Sequence, residues 1–283
     1  MTETATIADP EAYIAAIEAR SRRVETPCGD GTMVWRIWGE RPGARPVVFA
    51  HGSHGDWTHW IANIDALAER YMVIVCDLPS HGDSALALAE DHDALSAPIA
   101  EGLRLILPDQ LPVDLVGFSM GGVIFAQMMA RNPDIASRLI VIGAGGLGTP
   151  HGPVNIGRVG GLRGPERKAA LKANLMGLML HSAEAADDLA IHMLDTRARK
   201  ARIKVLAGLV KPDRLLQVLP QIHVPVDAIF GENDRPHPDP ALQERALRRV
   251  RPDCDFRVIP EAGHWAMYER TAAFNAVLID MLG

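Results

Sequence analysis

Residues 112–131, PVDLVGFSMGGVIFAQMMAR, contain the strand, turn and helix that decide the fold. The β-branched and apolar residues at 113–116 predict a buried strand, and the run at 123–130 predicts a helix. Ser119 lies between them in GFSMG, which matches the GxSxG nucleophile elbow. A strained serine at such a turn needs small neighbours, which the flanking glycines provide. The pattern predicts a nucleophilic serine, and the alternative is an incidental serine in a glycine-bearing turn.

Length and composition indicate a folded enzyme-sized protein. The chain has 283 residues, of which 48% are hydrophobic and 23% are charged, so one catalytic domain with an insertion is expected. A net charge of -6 argues against a nucleic-acid partner, because proteins that bind the phosphate backbone normally have a basic surface. Three cysteines without metal-like spacing argue against a disulfide framework. The N-terminus lacks a signal-peptide pattern and no run approaches the roughly 18 apolar residues of a membrane span. A cytoplasmic location without a membrane partner is therefore expected.

Strand and helix patterns alternate along most of the chain, which is typical of an α/β fold with a doubly wound, mostly parallel sheet and helices on both faces. A weak helical stripe near the N-terminus precedes an edge hairpin. Strands are predicted at 33–38, 46–50, 71–76, 113–117, 138–142, 224–230 and 255–259, and helices at 57–70, 91–107, 120–131, 240–250 and 266–282.

The alternation stops between the strands at 138–142 and 224–230. This gap begins with a glycine-rich segment and continues with helical patterns, which predicts a helical cap at 145–220 inserted into a core made of 1–144 and 221–283. A flexible linker is the alternative. The apolar stripe Leu171, Leu175 and Leu178 needs a packing partner and therefore favours the cap.

A serine hydroxyl needs a base, and His264 is the best placed of the 11 histidines. It lies in a loop between the last predicted strand and the last helix, so it can reach the carboxyl edge of the sheet. Asp234 follows the strand at 224–230 and completes the chain order Ser, acid, His. Its carboxylate would hold the imidazole tautomer. Glu232 is the competing acid.

The loop HGSHG at 51–55 follows the predicted strand at 46–50 and is expected to supply one oxyanion amide. Ser53 is the candidate for that amide, and Met120 at the start of the helix after Ser119 is the second, since free amides and the helix dipole favour negative charge there. His51 is interpreted as a structural brace. The spacing of His51, His54, Asp56 and His59 fits no zinc pattern, so no metal is expected.

Together these motifs resemble the α/β-hydrolase fold family over nearly the whole chain. A serine at position 119 excludes the dehalogenase and epoxide-hydrolase branches, which use a carboxylate there. Trp60, Asn63 and Trp265 are most similar to the meta-cleavage-product hydrolases, which split a carbon–carbon bond beside a ketone. The motifs are HGS at 51–53, DLPSHGDS at 77–84, GFSMGG at 117–122, GENDRP at 231–236 and GHW at 263–265.

The resemblance implies a triad of Ser119, Asp234 and His264 without a cofactor. The chain departs from the meta-cleavage pattern at His54 and Gly55 and again at Met267 and Tyr268, so its substrate contacts are expected to differ. Those relatives carry a cap arginine that holds a carboxylate, for which Arg197, Arg199 and Arg202 are candidates, unless they form a solvated helix face. The predicted substrate-binding residues are His54, Trp60, Trp265 and Met179.

The predicted function is serine hydrolysis of a small, fairly apolar carboxylic ester or related carbonyl compound. Carbon–carbon bond hydrolysis is the alternative within the same fold, and a ligand-binding protein with little turnover is the alternative from another class. The apolar cap residues Met176, Leu178, Met179 and Leu180 would line the substrate site or form ordinary core. The expected partner is a small molecule, and the sequence is compatible with a homo-oligomer.

Overall fold

The computed structural model describes residues 7–85, 92–200 and 211–283. Its strands are β1 (Arg22–Cys28), β2 (Gly31–Trp38), β3 (Pro46–Ala50), β4 (Met72–Cys76), β5 (Val113–Phe118), β6 (Ala136–Ile142), β7 (Val226–Gly231) and β8 (Phe256–Ile259). They form one eight-stranded sheet in the order β1-β2-β4-β3-β5-β6-β7-β8. The hairpin β1–β2 is antiparallel and β2 runs antiparallel to β4, whereas the remaining neighbours are parallel. The predicted fold class is confirmed.

The described α-helices are α1 (Pro10–Glu18), α2 (Ile64–Ala68), α3 (His92–Ile106), α4 (Met120–Arg131), α5 (Gly164–Leu178), α6 (Asp188–Thr196), α7 (Arg214–Val218), α8 (Pro240–Arg248), α9 (Ala266–Glu269) and α10 (Thr271–Leu282). Short 3₁₀ helices cover Trp57–Trp60, Ala198–Lys200 and Leu219–Gln221. The helix predicted at 57–70 is therefore two shorter helices, and the one predicted at 266–282 is divided at Arg270.

The break after Trp60 has a tertiary cause. Asn63 is fully buried, and its side-chain amide donates to the Met267 carbonyl at 2.9 Å and to Asn275 Oδ1 at 2.8 Å. These bonds join the loop before α2 to the last two helices. Local propensity is overridden because the buried amide finds its partners only in that arrangement.

Apolar cores cover both faces of the sheet, as expected for parallel strands. One core contains residues of α3, α4, α7 and α8, including the fully buried Phe125. The other contains residues of α1, α2, α5, α6, α9 and α10, including the fully buried Phe274. All three cysteines are buried and free in the structure. None of the helices in the described ranges has the length and hydropathy of a membrane span.

Helices α5 and α6 follow β6 in the segment predicted as a cap. Leu171 and Leu175 of α5 are buried in the same core as α6, which gives the predicted apolar stripe its packing partner. Leu178 ends α5 beside two cavities. The division into a core and a cap at 145–220 stays a prediction, and residues 201–210 of that segment lie outside the described ranges.

The parallel strands position the site. Because their carboxyl ends meet at one edge of the sheet, the loops after β3, β5, β7 and β8 lie together there. These loops carry Ser53, Ser119, Asp234 and His264.

Candidate active site

Ser119 occupies a strained turn between β5 and α4. Its φ is 51° and its ψ is -117°, a positive-φ conformation that is rare for a residue with a side chain. Its amide donates to the Ile142 carbonyl at 2.8 Å, which fixes the turn to β6. A Cβ at Gly117 would lie 2.5 Å from the backbone of Gly122, so the strand and helix approach each other too closely for any larger residue. This is the geometry of a nucleophile elbow.

Asp234 and His264 form a buried hydrogen-bonded pair. Asp234 Oδ2 lies 2.8 Å from His264 Nδ1, and the carboxyl side chain is fully buried. Burial opposes ionisation of Asp234, but the electrostatic interaction with His264 and hydrogen bonds from His237 and His264 outweigh it and hold the pKa of this carboxyl well below its usual range. An ionised carboxylate can only accept, so His264 Nδ1 carries a proton, and Nε2 is the acceptor when the ring is neutral.

Asp234 binds a second histidine that the sequence analysis missed. His237 Nδ1 lies 3.2 Å from Asp234 Oδ1, and its backbone amide donates to the same oxygen at 3.0 Å. The spacing Asp-x-x-His directly after a strand would have been the available signal, because a tight turn brings positions i and i+3 together. Two imidazoles therefore share one carboxylate.

Glu232, the competing acid, faces away from this pair. It is exposed, and its carboxylate accepts from the Glu261 amide at 2.8 Å. That bond links the loop after β7 to the loop after β8. The geometry therefore favours Asp234 as the partner of His264.

A cavity of about 550 Å³ opens at the edge of the sheet beside Ser119 and His264. The ring of Phe118 packs 4.9 Å from the ring of His264, between centroids, and forms part of the wall. The predicted oxyanion residues Ser53 and Met120 line the same cavity. All the predicted triad and oxyanion residues except the buried Asp234 thus face one space, and Asp234 lies directly behind His264.

The loop carrying Ser53 is held from beneath by histidines. His51 Nδ1 donates to the Gly52 carbonyl at 2.7 Å, and its Nε2 accepts from the Leu78 amide at 2.9 Å, which confirms its interpretation as a brace. The Gly52 amide donates to His59 Nδ1 at 3.3 Å. Burial lowers the pKa of both histidines, so both rings are neutral acceptors.

Asp77 fixes the same region to the strand layer. Its carboxylate accepts from the Trp57 amide at 2.9 Å and from the Asp83 amide at 3.0 Å. The buried Arg36 guanidinium donates to it at 2.9 Å and forms an ion pair with it. One buried carboxylate thus holds both the 3₁₀ helix after the Ser53 loop and the turn after β4.

Three of the four predicted substrate contacts line cavities. A second cavity, of about 280 Å³, shares Ser53, His54 and Met179 with the first and also reaches Trp265. His54 adopts a positive φ of 58° and is exposed. Trp265 is buried, and its Nε1 donates to the His59 carbonyl at 2.9 Å.

Trp60 is a core residue and lines neither of these two cavities. It is 1% exposed and packs against Phe49 and Phe274 at centroid distances of 4.9 and 6.4 Å. The prediction that Trp60 contacts substrate therefore has no geometric support. The tryptophan is instead part of the apolar layer beneath α10, next to the buried Asn63.

Arg197 lines the smaller cavity, with Nη1 3.9 Å from Asp56 Oδ2. The side chain of Arg199 and the whole of Arg202 lie outside the described part of the chain. Among the described residues, Asp234, His237 and His264 have possible metal-ligand atoms that lie within 4.8 Å of one another. In the structure these atoms are already joined by the two histidine–carboxylate hydrogen bonds.

Comparison with known proteins places these residues in a family context. A family model described as the alpha/beta hydrolase family matches residues 47–277. A 2-hydroxy-6-oxononadienedioate/2-hydroxy-6-oxononatrienedioate hydrolase from Paraburkholderia phymatum is 30% identical, with 85% of this chain and 88% of the relative covered. The dihydrolipoyllysine-residue acetyltransferase component of an acetoin cleaving system from Pseudomonas putida is also 30% identical over 85% of this chain, but the match spans only 64% of that relative.

Solved structures show the same fold at lower identity. The esterase RhEst1 from Rhodococcus sp. ECU1013 has a TM-score of 0.72 at 22% identity, covering 92% of this chain and 98% of that chain. A bromoperoxidase from Bacillus anthracis also has a TM-score of 0.72, at 20% identity, with 92% and 99% covered. The chain therefore belongs to the alpha/beta hydrolase family.

Proposed function

We propose that this protein is a serine hydrolase that cleaves a small, fairly apolar carboxylic ester through an acyl-enzyme. Ser119 is the nucleophile, His264 the base and Asp234 the residue that orients the base. One observation carries the proposal: the His264 ring bonded to Asp234 at 2.8 Å lines the same cavity as the strained Ser119.

The proposed reaction begins with proton transfer from Ser119 Oγ to His264 Nε2, which is free because Nδ1 donates to Asp234. The serine oxygen attacks the ester carbonyl carbon and forms a tetrahedral intermediate. Collapse of this intermediate breaks the ester bond, and His264 gives its proton to the departing alcohol. Water then attacks the acyl-enzyme with His264 as base, which releases the carboxylic acid and restores Ser119.

The amides of Ser53 and Met120 are the proposed oxyanion donors. Met120 is the first residue of α4, where amides have no partner within the helix and the helix dipole favours negative charge. Ser53 lies in the loop that His51 and His59 hold in place. Loss of one such donor costs roughly a hundred- to a thousandfold in turnover.

The cavities support an apolar small-molecule substrate as the proposed partner. Cavities of about 550 and 280 Å³ fall within or just below the usual range for small ligands. Phe118, Val123, Leu178 and Met179 contribute apolar side chains to the larger one. Among the apolar cap residues, Leu180 is 1% exposed and forms ordinary core.

Carbon–carbon bond hydrolysis is the second candidate. It is favoured by the 30% identity to the oxononadienedioate hydrolase and by Arg197, which lines the smaller cavity. Its Nε is buried and has no hydrogen-bond partner among the residues that the structure describes. A ligand-binding protein with little turnover is the candidate from another class. It predicts saturable binding without covalent chemistry at Ser119.

One experiment separates these candidates. Native protein, Ser119→Ala and the control Ser137→Ala are assayed with p-nitrophenyl esters of short acids and with a ring-opened dienoate, and each protein is treated with a fluorophosphonate probe. Ester hydrolysis and labelling are expected in the native and control proteins and should be lost in Ser119→Ala. Cleavage of the dienoate alone would favour the carbon–carbon hydrolase, and an unlabelled native protein would contradict both enzyme proposals.

A further inference from the structure

The second histidine on Asp234 presents a nitrogen that the proposed triad does not use. Asp234 accepts from His264 Nδ1 through Oδ2 at 2.8 Å and from His237 Nδ1 through Oδ1 at 3.2 Å. The His237 ring is buried, yet it also lines the 550 Å³ cavity beside Ser119. Its Nδ1 is hydrogen-bonded to the carboxylate, so Nε2 is the ring nitrogen that can hydrogen-bond a group in the cavity.

The protonation of the His237 ring follows from its partners. The carboxylate of Asp234 is ionised and can only accept, so Nδ1 of His237 carries the hydrogen. Burial lowers the pKa of His237 below its ordinary value, despite the opposing effect of Asp234, and keeps the ring neutral. A neutral imidazole with its proton on Nδ1 has a bare Nε2, which is a hydrogen-bond acceptor.

The ring is held with this nitrogen towards the cavity. The rings of Phe230 and His237 are perpendicular, at 89° with centroids 5.6 Å apart, and this packing restricts the plane of the imidazole. Nε2 lies 3.4 Å from the position that a Cβ on Gly145 would occupy, and Gly145 is also a cavity residue. Within the described chain, no protein group hydrogen-bonds this nitrogen.

The loops around the ring are joined, which keeps this part of the wall in place. The Gly152 amide donates to the Pro236 carbonyl at 2.9 Å, so the loop after β6 is attached to the loop after β7. This contact brings His151 to within 6.0 Å of His237, between ring centroids. His151 Nδ1 donates to the Gly152 carbonyl at 2.8 Å and does not bond to His237.

We propose that His237 is a specificity residue whose Nε2 accepts a hydrogen bond from a hydroxyl or N–H group of the substrate. The inference rests on the proposed ester hydrolysis and narrows its substrate class to esters that carry a hydrogen-bond donor near the reacting carbonyl. A purely apolar substrate would remove water from Nε2 and leave it unpaired. Sites built to bind such a donor discriminate strongly against analogues that lack it.

The test uses isosteric ester pairs that differ by a hydroxyl in place of a methyl group. On the acyl side, p-nitrophenyl 3-hydroxybutyrate is compared with p-nitrophenyl 3-methylbutyrate. On the alcohol side, 2-hydroxyethyl butyrate is compared with propyl butyrate. The native enzyme is expected to prefer the hydroxylated member of at least one pair by about tenfold to a hundredfold in kcat/KM, the range given by one satisfied buried acceptor.

Two variants distinguish substrate recognition by His237 Nε2 from the hydrogen bond between His237 Nδ1 and Asp234. His237→Asn keeps a donor near the position of Nδ1 but removes the acceptor at Nε2, so the hydroxyl preference should be lost. His237→Gln places an amide oxygen near the position of Nε2 but removes the bond to Asp234, so the preference should be retained. A preference that survives in His237→Asn, or variants that slow both members of each pair equally, would overturn the proposal.

Binding to Ser119→Ala provides a readout that does not require turnover. Calorimetric titration of this variant with each pair should give the same hydroxyl preference in Kd, and the double variant Ser119→Ala with His237→Asn should lose it. Failure of native protein to hydrolyse any ester would contradict the proposed function while these titrations still decide the role of His237. Equal affinities within both pairs would refute that role even if ester hydrolysis is found.

Discussion

Gly55 has a hydrogen as its side chain because the ring of His59 lies against it. A Cβ at position 55 would fall 2.1 to 2.4 Å from three atoms of the imidazole, well inside any real contact. His59 has little room to move, since its ring packs 5.5 Å from Phe118 and 5.1 Å from Trp265, between centroids. Gly55→Ala must therefore displace His59 or the loop itself.

The cost can be estimated from two contacts. Forcing a methyl group into a packed site costs about 1–3 kcal/mol. If His59 moves, the Gly52 amide loses its acceptor at 3.3 Å, and an unpaired buried donor costs a further ~1–3 kcal/mol. The sum is about 2–6 kcal/mol, which lowers the melting temperature by at least about 4 °C at roughly 2 °C per kcal/mol. Because Ser53 follows Gly52, turnover should also fall roughly a hundredfold, as for a misplaced oxyanion donor.

A double-mutant cycle measures this coupling. Gly55→Ala, His59→Ala and the double variant are compared by thermal unfolding and by hydrolysis of p-nitrophenyl butyrate. Removal of the imidazole makes room for the new methyl group, so the double variant should be less destabilised than the sum of the single variants by about 1 kcal/mol or more. A Gly55→Ala protein that melts and turns over like the native one, or strict additivity in the cycle, would refute the steric argument.

Asp234→Asn should lower kcat by roughly ten-thousandfold while leaving the fold intact, because the wrong tautomer of His264 is then stabilised, and far-UV circular dichroism with steady-state kinetics checks both parts. Glu232→Gln should remain close to native in the same assay, and the opposite ranking would reassign the acid. The buried, neutral His59 has a lowered pKa, so the unfolded state binds its proton first and stability should fall as the pH drops below about 6.5. Urea titrations of His59→Gln between pH 7 and 5 should show a shallower fall, and an unchanged slope would argue against this assignment. Trp60→Ala should cost about 3–5 kcal/mol in stability, because it leaves a core cavity, without changing the ratio of kcat/KM between two esters.

The sequence predicted much of the fold because buried parallel strands and the elbow have strong local signals. The run at 113–116, the GFSMG turn and α4 were placed within a residue or two of their observed ends. The order of Ser119, Asp234 and His264 on strand ends then followed from the rule that parallel strands expose their carboxyl ends together. These inferences needed no knowledge of distant contacts.

The remaining differences between the predicted and the observed structure arise where contacts between residues distant in sequence determine the conformation. The helix predicted at 57–70 is broken because Asn63 bonds to Met267 and Asn275, which are more than 200 residues away. Trp60 was assigned to the substrate site by resemblance, but side-chain periodicity does not reveal which face of a short helix meets the cavity. His237 is a different case, because its contact with Asp234 is local and the Asp-x-x-His spacing after β7 is a signal that the sequence already contains.

The buried carboxylate of Asp77 has a practical consequence for exchanging segments between family members. It accepts from the amides of Trp57 and Asp83, which lie in two separate segments, one after β3 and one after β4, while Arg36 forms an ion pair with it. If one of these segments is replaced by the corresponding segment of a relative, its amide must still bond to Asp77, whose position also depends on the other segment. Chimeras in which both loops and Arg36 come from the same parent should therefore retain activity more often than chimeras that mix them.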